Sequence, residues 1–263
     1  MLIDEAERRG EIAPGDGQVL LERTGGNLGI ALAIEARIRG YDLTLVTDPG
    51  YSNIKKDIAR RLGAHVIDRG VSYPECTSNG SVIEILTNEP GSGYFYLNQF
   101  ANPANPLAHE RGTGAEILRQ LTSHGVGQSA TIVLIAGLGT GATMAGVSGT
   151  LRSWYERVRL FAVQPSSCDV LAGRYADHAL QGIAVGEAPP FINVSDLDAV
   201  ISVSDSAAGQ ARQDLLKRYR FLVGPSSAAN YAALRSARQH QVALNDDNVI
   251  YVTILYDRGE DYE

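Results

Sequence analysis

The chain has 263 residues, of which 44% are hydrophobic and 20% charged, and its 28 glycines fit one large or two modest α/β domains. Its formal net charge of -7 disfavours a general affinity for nucleic acid or anionic lipid. The two cysteines, Cys76 and Cys168, are far apart and have neither metal nor redox spacing. We therefore expect a cytoplasmic protein that binds neither nucleic acid nor a membrane.

Targeting and metal signals are also absent from the sequence. The first residues, MLIDEAERRG, carry charges where a signal peptide needs an apolar run. No run reaches the roughly 18 uninterrupted apolar residues of a membrane helix. The histidines show no ligand spacing, so we expect packing or surface roles for them and no metal site. They are His65, His109, His124, His178 and His240.

Apolar runs rich in Val, Ile and Leu alternate with segments of helical period along most of the chain. The runs predicted as strands are 18–22, 42–47, 64–68, 130–136, 158–164, 198–204 and 248–256. The segments predicted as helices are 28–39, 51–64 with a Ser or Asn cap, 105–121, the residues after 141, 205–220 and 225–239. This alternation predicts parallel sheet with helices on both faces.

Two stretches lack a clear period. Residues 70–93 are predicted to hold a short helix between loops, and residues 165–195 a long functional loop with short helical pieces. The segment LTSHGVG at 121–127 is the best candidate for a domain boundary. The sequence therefore predicts a smaller α/β domain over 1–122 and a larger one over 123–263.

Two turns between a predicted strand and a predicted helix are rich in glycine. They are ERTGGNLGIALA after the first strand and AGLGTGATMAG after the strand at 130–136. Glycine lets backbone N–H groups point into a concave site, and the helix N-terminus adds partial positive charge. A third turn, LVGPSSAANYAAL, places Ser226 and Ser227 beside Pro225 at a helix start. These turns are candidate anion sites.

Several identities compete for the turn at Gly137–Gly141. A P-loop is excluded because no lysine follows the glycines. A dinucleotide site needs an acidic residue at the end of the next strand, but that strand ends in Gln164 followed by proline. A cofactor with one phosphate fits the loop N–H groups and the hydroxyls of Thr140 and Thr143. A tight turn that only lets helix and strand pack closely is the structural alternative.

Several segments, in order along nearly the whole chain, resemble the cysteine synthase and cystathionine β-synthase family of pyridoxal-phosphate (PLP) enzymes. They are TGGNLGIALA, NQFANPANPLAHERGTGAEI, IAGLGTGATMAGV, LQGIAVG, LVGPSSAANYAAL and DRGEDY. The resemblance implies the tryptophan-synthase-β fold type, with two doubly wound parallel-sheet domains and a PLP cleft between them. It also implies a homodimer.

The resemblance implies a role for each matching residue. The loop with Gly139, Thr140, Gly141, Ala142 and Thr143 would hold the PLP phosphate, with Ala142 replacing one glycine. The remaining cofactor contacts would be Asn27 at the ring hydroxyl, Ser226 at the pyridine nitrogen and Gly182 near the substrate amine. The substrate carboxylate would be bound by Thr24, Gly25, Gly26, Leu28 and Gln99. Taken singly, Asn27 could be a helix cap, Gln99 a loop residue and Ser226 a first-turn hydroxyl.

The lysine that forms the Schiff base in this family does not match any lysine of the chain. The only lysines are Lys55, Lys56 and Lys217, and we expect their charged ends to be solvated. The resemblance places the Schiff-base lysine just upstream of Met1, together with the first strands of the fold. Either the chain is incomplete, or it is a natural short paralogue, and both explanations remain open. The sequence therefore offers no catalytic residue.

The sequence favours a β-replacement or β-elimination protein that acts on an O-activated serine or a related β-substituted alanine, if a lysine is supplied. Two hydroxyls usual in the substrate loop are replaced by Gly25 and Leu28, so O-acetylserine is a doubtful substrate. One alternative is a non-catalytic paralogue that binds PLP or a partner protein and regulates. Another is a nicotinamide-dependent oxidoreductase, which Gln164 disfavours.

Overall fold

The computed structural model describes residues 1–239 and 248–262, so His240 lies outside the described residues. The chain divides into two compact units. Among the described residues, unit 1 comprises Met1–Asn102 with Asp261 and Tyr262, and unit 2 comprises the described part of Pro103–Glu260. In the described residues, each unit contains one four-stranded parallel sheet with helices packed on it. This confirms the predicted fold class of two parallel-sheet α/β domains.

Unit 1 is built on strand β1, which pairs with β2 on one side and β4 on the other in the order β3-β2-β1-β4. Helix α2 connects β1 to β2, and α3 connects β2 to β3. The elements are α1 (Leu2–Arg8), β1 (Val19–Arg23), α2 (Asn27–Arg39), β2 (Asp42–Thr47), α3 (Asn53–Arg61), β3 (His65–Asp68), α4 (Arg69–Ser72), α5 (Asn79–Asn88) and β4 (Tyr94–Tyr96). Ser52 caps α3, as predicted, because its Oγ accepts a hydrogen bond from the Lys55 amide at 3.4 Å.

Unit 2 repeats this plan in the order β7-β6-β5-β8, with all described pairs parallel. Its elements are α6 (Ala104–Ala108), a π-helical turn (His109–Gly114), α7 (Ala115–Ser123), β5 (Thr131–Gly137), α8 (Ala142–Arg152), β6 (Arg157–Pro165), β7 (Ala199–Val203), α9 (Asp205–Tyr219), α10 (Pro225–Gln239) and β8 (Val249–Thr253). The long connection from β6 to β7 holds two short 3-10 turns, as predicted.

The core of unit 2 has two apolar layers, one on each face of the sheet. On β5, Ile132 and Leu134 pack in a cluster with Met144 of α8, whereas Val133 and Ile135 pack in the opposite cluster with residues of α9 and α10. Residues 131–136 are all buried. A strand covered on both faces reads as a continuous apolar run because its two alternating sets of side chains are both buried. This explains why the run was recognisable in the sequence.

The division between the units differs from the predicted boundary at 122/123. The structure places the segment 103–122 in unit 2, because this segment packs on α8. The Thr150 hydroxyl on α8 donates to the Glu110 carbonyl at 2.7 Å. A Cβ added at Gly146 would lie 2.2 Å from the Pro106 carbonyl oxygen, so only glycine permits this close approach. These contacts are distant in sequence, and the polar stretch LTSHGVG is the end of α7 and the loop that follows it, within unit 2.

Candidate functional site

The glycine-rich turn of unit 2 follows β5, at the point where the strand order reverses between β5 and β8. Ligands of open α/β sheets bind outside the carboxyl ends of the strands at such a switch point. The turn occupies residues 138–141 and leads directly into α8. Its place in the topology is therefore that of a binding site.

Backbone hydrogen bonds hold this turn in shape. The Leu138 amide donates to the Val163 carbonyl at 3.1 Å, and the Leu138 carbonyl accepts from the Ala184 amide at 2.8 Å. Gly141 has a φ of 81°, in the region that favours glycine. A Cβ on Gly139 would lie 3.0 Å from the Gly182 carbonyl oxygen, so the turn and the predicted backbone position at Gly182 lie together.

The amides of the turn are suited to a phosphate. Within the described part of the chain, the N–H groups of Gly139, Thr140 and Gly141 donate to no acceptor. The Thr140 hydroxyl accepts from the Ala142 amide at 3.3 Å, at the first residue of α8. Consecutive amides at the positive end of an 11-residue helix form an anion site. The residues present therefore fit the phosphate of a cofactor.

His109 supports the hydroxyl of Thr143. Its Nε2 lies 3.2 Å from the Thr143 Oγ1, and its Nδ1 lies 3.2 Å from the Thr113 Oγ1. Burial lowers the pKa of His109, so the imidazole is neutral near pH 7, with one nitrogen as donor and the other as acceptor. The sequence predicts a packing or surface role for this histidine, and it does not predict the contact with Thr143 at the start of α8. The π-helical turn that orients the His109 side chain cannot be predicted from a simple sequence pattern.

Tyr256 is a further polar side chain at this switch point. It follows β8 and lies beside Thr143 and Asn230, and burial raises its pKa to about 12. The Asn230 side chain is itself fixed, because its Nδ2 donates to the Ile254 carbonyl at 3.1 Å. No sequence pattern predicts that Tyr256 or Asn230 lies beside the turn. The strand order, which puts β8 beside β5, is what brings them to the turn.

Ser226 is the second residue of α10 and is buried. A Cβ on Gly182 would lie 3.8 Å from the Ser226 Oγ, so the structure brings Ser226, Gly182 and Gly139 together in unit 2. The neighbouring Ser227 has a structural use, because its Oγ accepts from the Tyr256 amide at 2.8 Å. The side chain of Gln164, the residue that disfavours a dinucleotide site, accepts a hydrogen bond from the Val170 amide at 3.0 Å.

In unit 1 the predicted substrate loop follows β1, beside the switch point between β1 and β4. The Thr24 hydroxyl accepts from the Gly26 amide at 3.3 Å. Gln99 follows β4, and its Nε2 donates to the Arg23 carbonyl at 2.8 Å. The structure therefore places Gln99 at the end of β1, where the loop that precedes α2 begins.

A buried carboxyl group links the same two segments. Glu22 is fully buried; its Oε2 accepts from the Gln99 amide at 3.0 Å and its Oε1 from the Arg23 amide at 2.9 Å. Burial raises its pKa to about 7, and the hydrogen bonds oppose this shift only in part. Asn98 adopts a φ of 55°, which presents the Gln99 amide to this carboxyl group. Glu22 stands in an ordinary strand pattern, which does not predict this role.

Gly25 is crowded by its neighbours in unit 1. A Cβ at this position would lie 2.3 Å from the Thr47 Oγ1 and 2.3 Å from the Tyr51 Cγ. The serine that is usual in the family at this place therefore has no room here. By contrast, a Cβ on Gly26 would meet nothing within 4 Å. The predicted substrate loop therefore lacks a hydroxyl at Gly25, where the Tyr51 side chain occupies the space that a serine side chain would need.

The expectation that the charged ends of the lysines are solvated is wrong for Lys55 and Lys56. Both are only 3% exposed. The Lys56 Nζ pairs with the Asp68 carboxylate at 2.8 Å, whereas the Lys55 Nζ donates to the Asn27 Oδ1 at 2.6 Å. Their partners lie on other elements of the unit 1 fold, which a helical pattern alone does not reveal. Lys217 on α9 is exposed, as expected.

Two negative findings apply to the part of the chain that the structure describes. No helix there is long and apolar enough to cross a membrane. No group of three or more metal-binding side chains is present among those residues.

Parallel α/β units with a glycine-rich turn at a helix N-terminus are typical of proteins that bind a phosphate-bearing ligand. Residues 2–254 match the family described as pyridoxal-phosphate dependent enzyme. The cysteine synthase of Staphylococcus aureus (strain Mu50 / ATCC 700699) is 32% identical over 99% of this chain and 80% of its own length. Cysteine synthase A of Escherichia coli (strain K12) is 34% identical with the same coverage. The chain belongs to the pyridoxal-phosphate dependent enzyme family, in its cysteine synthase group.

Solved structures agree with this assignment. An O-ureido-L-serine synthase is 29% identical, with a TM-score of 0.84 over 99% of this chain and 78% of that chain. A hydrogen sulfide-producing enzyme from Fusobacterium nucleatum is 30% identical, with a TM-score of 0.83 over 100% of this chain and 84% of that chain. PLP is the cofactor of this family, which confirms the predicted cofactor and the predicted family resemblance.

Proposed function

We propose that the protein catalyses β-replacement or β-elimination on an O-activated serine or a related β-substituted alanine. The observation that carries the proposal is the turn at 139–141, whose three amides at the start of α8 suit a phosphate. The similarity to cysteine synthases and to an O-ureido-L-serine synthase supports the reaction class. When bound, PLP withdraws electrons from the substrate α-carbon, which lets the α-proton and the β-substituent leave.

In this proposal the residues of unit 2 hold the cofactor. The amides of Gly139, Thr140 and Gly141 and the Thr143 hydroxyl bind the phosphate, and Ala142 begins the helix behind them. The Ser226 hydroxyl faces the pyridine nitrogen. A hydroxyl does not keep that nitrogen protonated as a carboxylate would, so electron withdrawal is moderate. The Gly182 backbone lies near the substrate amine.

The residues of unit 1 bind the remaining groups. Asn27 contacts the ring hydroxyl of the cofactor. The loop with Thr24, Gly25, Gly26 and Leu28, together with Gln99, binds the substrate carboxylate. Because Gly25 and Leu28 lack the usual hydroxyls, we propose a substrate other than O-acetylserine, with a specialised β-substituent.

The proposed reaction requires a lysine amine at the cofactor. Lys56 is paired with Asp68, and Lys217 is exposed on α9. The Lys55 Nζ is hydrogen-bonded to the Asn27 Oδ1 and lies 3.8 Å from the centroid of the Tyr262 ring, so this amine is already engaged within unit 1. We therefore assign the role to none of these three, and the proposal is conditional on a lysine supplied from elsewhere.

The test begins with the DNA upstream of the codon for Met1, where an in-frame lysine codon ahead of α1 supports the enzyme. The protein, with any such extension, is then incubated with PLP and a panel of β-substituted alanines with and without sulfide. We expect release of the β-substituent and a new amino acid with sulfide. A protein that carries the lysine and binds PLP but turns over none of the panel would contradict the proposal.

The second candidate is a non-catalytic paralogue that binds PLP or a partner protein. Two hydroxyl-bearing residues usual in the substrate loop are replaced by Gly25 and Leu28, and neighbouring side chains fill the space beside Gly25. Both observations favour this non-catalytic candidate. It predicts PLP binding that is fully reversed by dialysis and is not trapped by borohydride. A borohydride-stable adduct on a lysine would contradict it. In either case we propose a homodimer, which light scattering after size exclusion can check.

A further inference from the structure

Lys55 is buried in unit 1. The residue is only 3% exposed. Its Nζ is 2.6 Å from the Asn27 Oδ1 and 3.8 Å from the centroid of the Tyr262 ring. Asn27 is exposed at the first residue of α2. The buried Lys55 ammonium group therefore contacts the side-chain oxygen of Asn27, a residue that is itself exposed to solvent.

This contact determines which way the Asn27 amide points. An ammonium group is a donor only, so the atom that faces it must be the amide oxygen and not the amide nitrogen. With Oδ1 held by Lys55, the Nδ2 donor is turned to the other side. Turning the Asn27 amide around would place its oxygen, an acceptor, toward the ligand. That rotation would break the hydrogen bond between Oδ1 and the buried Lys55 ammonium group.

We propose that Lys55 is a positioning residue that fixes the Asn27 amide, so that its Nδ2 donates to the ring hydroxyl oxygen of the cofactor. The inference rests on the proposed function, which gives Asn27 this ligand. The positive charge also polarises the amide and strengthens its N–H as a donor. The ring hydroxyl is consequently favoured in its ionised form, since charge-assisted hydrogen bonds are the stronger ones.

Lys56 provides a matched control. It is the next residue of α3 and is equally buried, at 3% exposure. Its Nζ contacts the Asp68 carboxylate at 2.8 Å and the Pro49 carbonyl at 3.5 Å. A substitution at Lys56 thus removes a buried lysine from the same helix and leaves the contact with Asn27 in place.

The probe is pyridoxine 5'-phosphate, which has the ring hydroxyl and the phosphate but no aldehyde, so no lysine can form an imine with it. Its Kd is measured for the wild type, Lys55→Met, Asn27→Ala, the double variant and Lys56→Met, with thermal unfolding as the check on folding. We expect Lys55→Met to bind about tenfold more weakly, as for loss of one charge-assisted hydrogen bond. Lys56→Met stays within about twofold, because its interaction is remote from the ligand.

The double variant distinguishes positioning from general damage. If Lys55 acts through Asn27, adding Lys55→Met to Asn27→Ala weakens binding no further, because the amide to be positioned is already gone. The ring absorbance of the bound probe at fixed pH should show less ionised hydroxyl in Lys55→Met, and Lys55→Arg should restore it in part. If Lys55→Met does not fold, Lys55→Gln keeps an N–H donor and is expected to bind with intermediate affinity.

The outcomes that overturn the inference are distinct. Wild-type affinity in Lys55→Met or Lys55→Gln, or additive losses in the double variant, would overturn it and leave the proposed function intact. Peptide mapping after incubation with PLP and borohydride should find Lys55 unmodified; an adduct there would make it the nucleophile. A wild-type protein that does not bind the probe would overturn the proposed function and this inference together.

Discussion

Glu22 is a single residue that we expect to change how the free energy of unfolding depends on pH. Its pKa rises from 4.5 in the unfolded chain to about 7 in the folded protein because of burial. Below pH 4.5 the carboxyl group is neutral in both states, so Glu22 does not lower the free energy of unfolding there. As the pH rises to about 7 the unfolded chain ionises first, and the contribution of Glu22 lowers the free energy of unfolding by roughly 3 kcal/mol.

We therefore predict that Glu22→Gln abolishes most of this decline. The amide is neutral at every pH, so urea unfolding at pH 5 and pH 8 should give similar free energies for the variant but not for the wild type. Glu84→Gln, at an exposed position of α5, is the control and should keep the wild-type difference. An equal decline in Glu22→Gln and the wild type would show that Glu22 ionises normally.

Thr143 is the residue at which the phosphate proposal can be tested most locally. Thr143→Val keeps the shape of the side chain and removes the hydroxyl that His109 contacts. One hydrogen bond to a charged group contributes about 1.5–3 kcal/mol, so we predict at least about tenfold weaker binding of PLP by calorimetry. Ser148→Ala, on the same helix, removes a hydroxyl that donates to the Ala145 carbonyl at 3.0 Å and should leave the Kd unchanged.

At the scale of elements, the packing of α8 against the segment 104–114 depends on one glycine. Gly146→Ala puts a Cβ 2.2 Å from the Pro106 carbonyl oxygen, whereas Gly149→Ala on the same helix meets nothing within 4 Å. Overpacking of this kind costs about 1–3 kcal/mol, so we predict a lower Tm for Gly146→Ala. Gly149→Ala should equal or exceed the wild type, because alanine is the better helix former. The reverse order would contradict this packing.

The loop before α2 contains a similar pair. In Gly25→Ala the new Cβ would lie 2.3 Å from Thr47 and Tyr51 atoms, so the loop must shift. We predict weaker binding of amino-acid carboxylates and a lower free energy of unfolding, whereas Gly26→Ala should change stability little. Titration with L-serine in the presence of PLP measures the first effect. Comparable losses in both variants would show that the crowding at Gly25 is not the cause.

Elements with a strong local signal could be predicted from the sequence. The buried strand β5 and the strand β2, over Asp42–Thr47, are examples. Strand β4 was not predicted, because it has only three residues, Tyr94–Tyr96, and depends on pairing with β1. The stretch 70–93 contains α5 and all of α4 but its first residue, Arg69, where one helix was expected. Short elements depend on tertiary contacts that a local pattern does not contain.

The candidate site shows the same limit. The glycine turn and Ser226 were identifiable because their residue types suit one conformation or one chemistry. Lys55 could not be interpreted, since its partner Asn27 is 28 residues away on another helix. Tyr256 and His109 reach the turn only through the strand order of unit 2 and the π-helical turn. Which residues contact and support the site residues depends on the strand order and packing of the fold. The order of residues in the sequence does not reveal these contacts.

For the whole molecule, the central claim is that the turn at 139–141 holds the phosphate of PLP. Calorimetry with pyridoxine 5'-phosphate and with pyridoxine, which lacks the phosphate, tests this most directly. Several charge-assisted hydrogen bonds to the turn predict that the phosphorylated compound binds at least about 100-fold more tightly. Equal affinity for the two compounds, or binding of a nicotinamide dinucleotide in their place, would contradict the account.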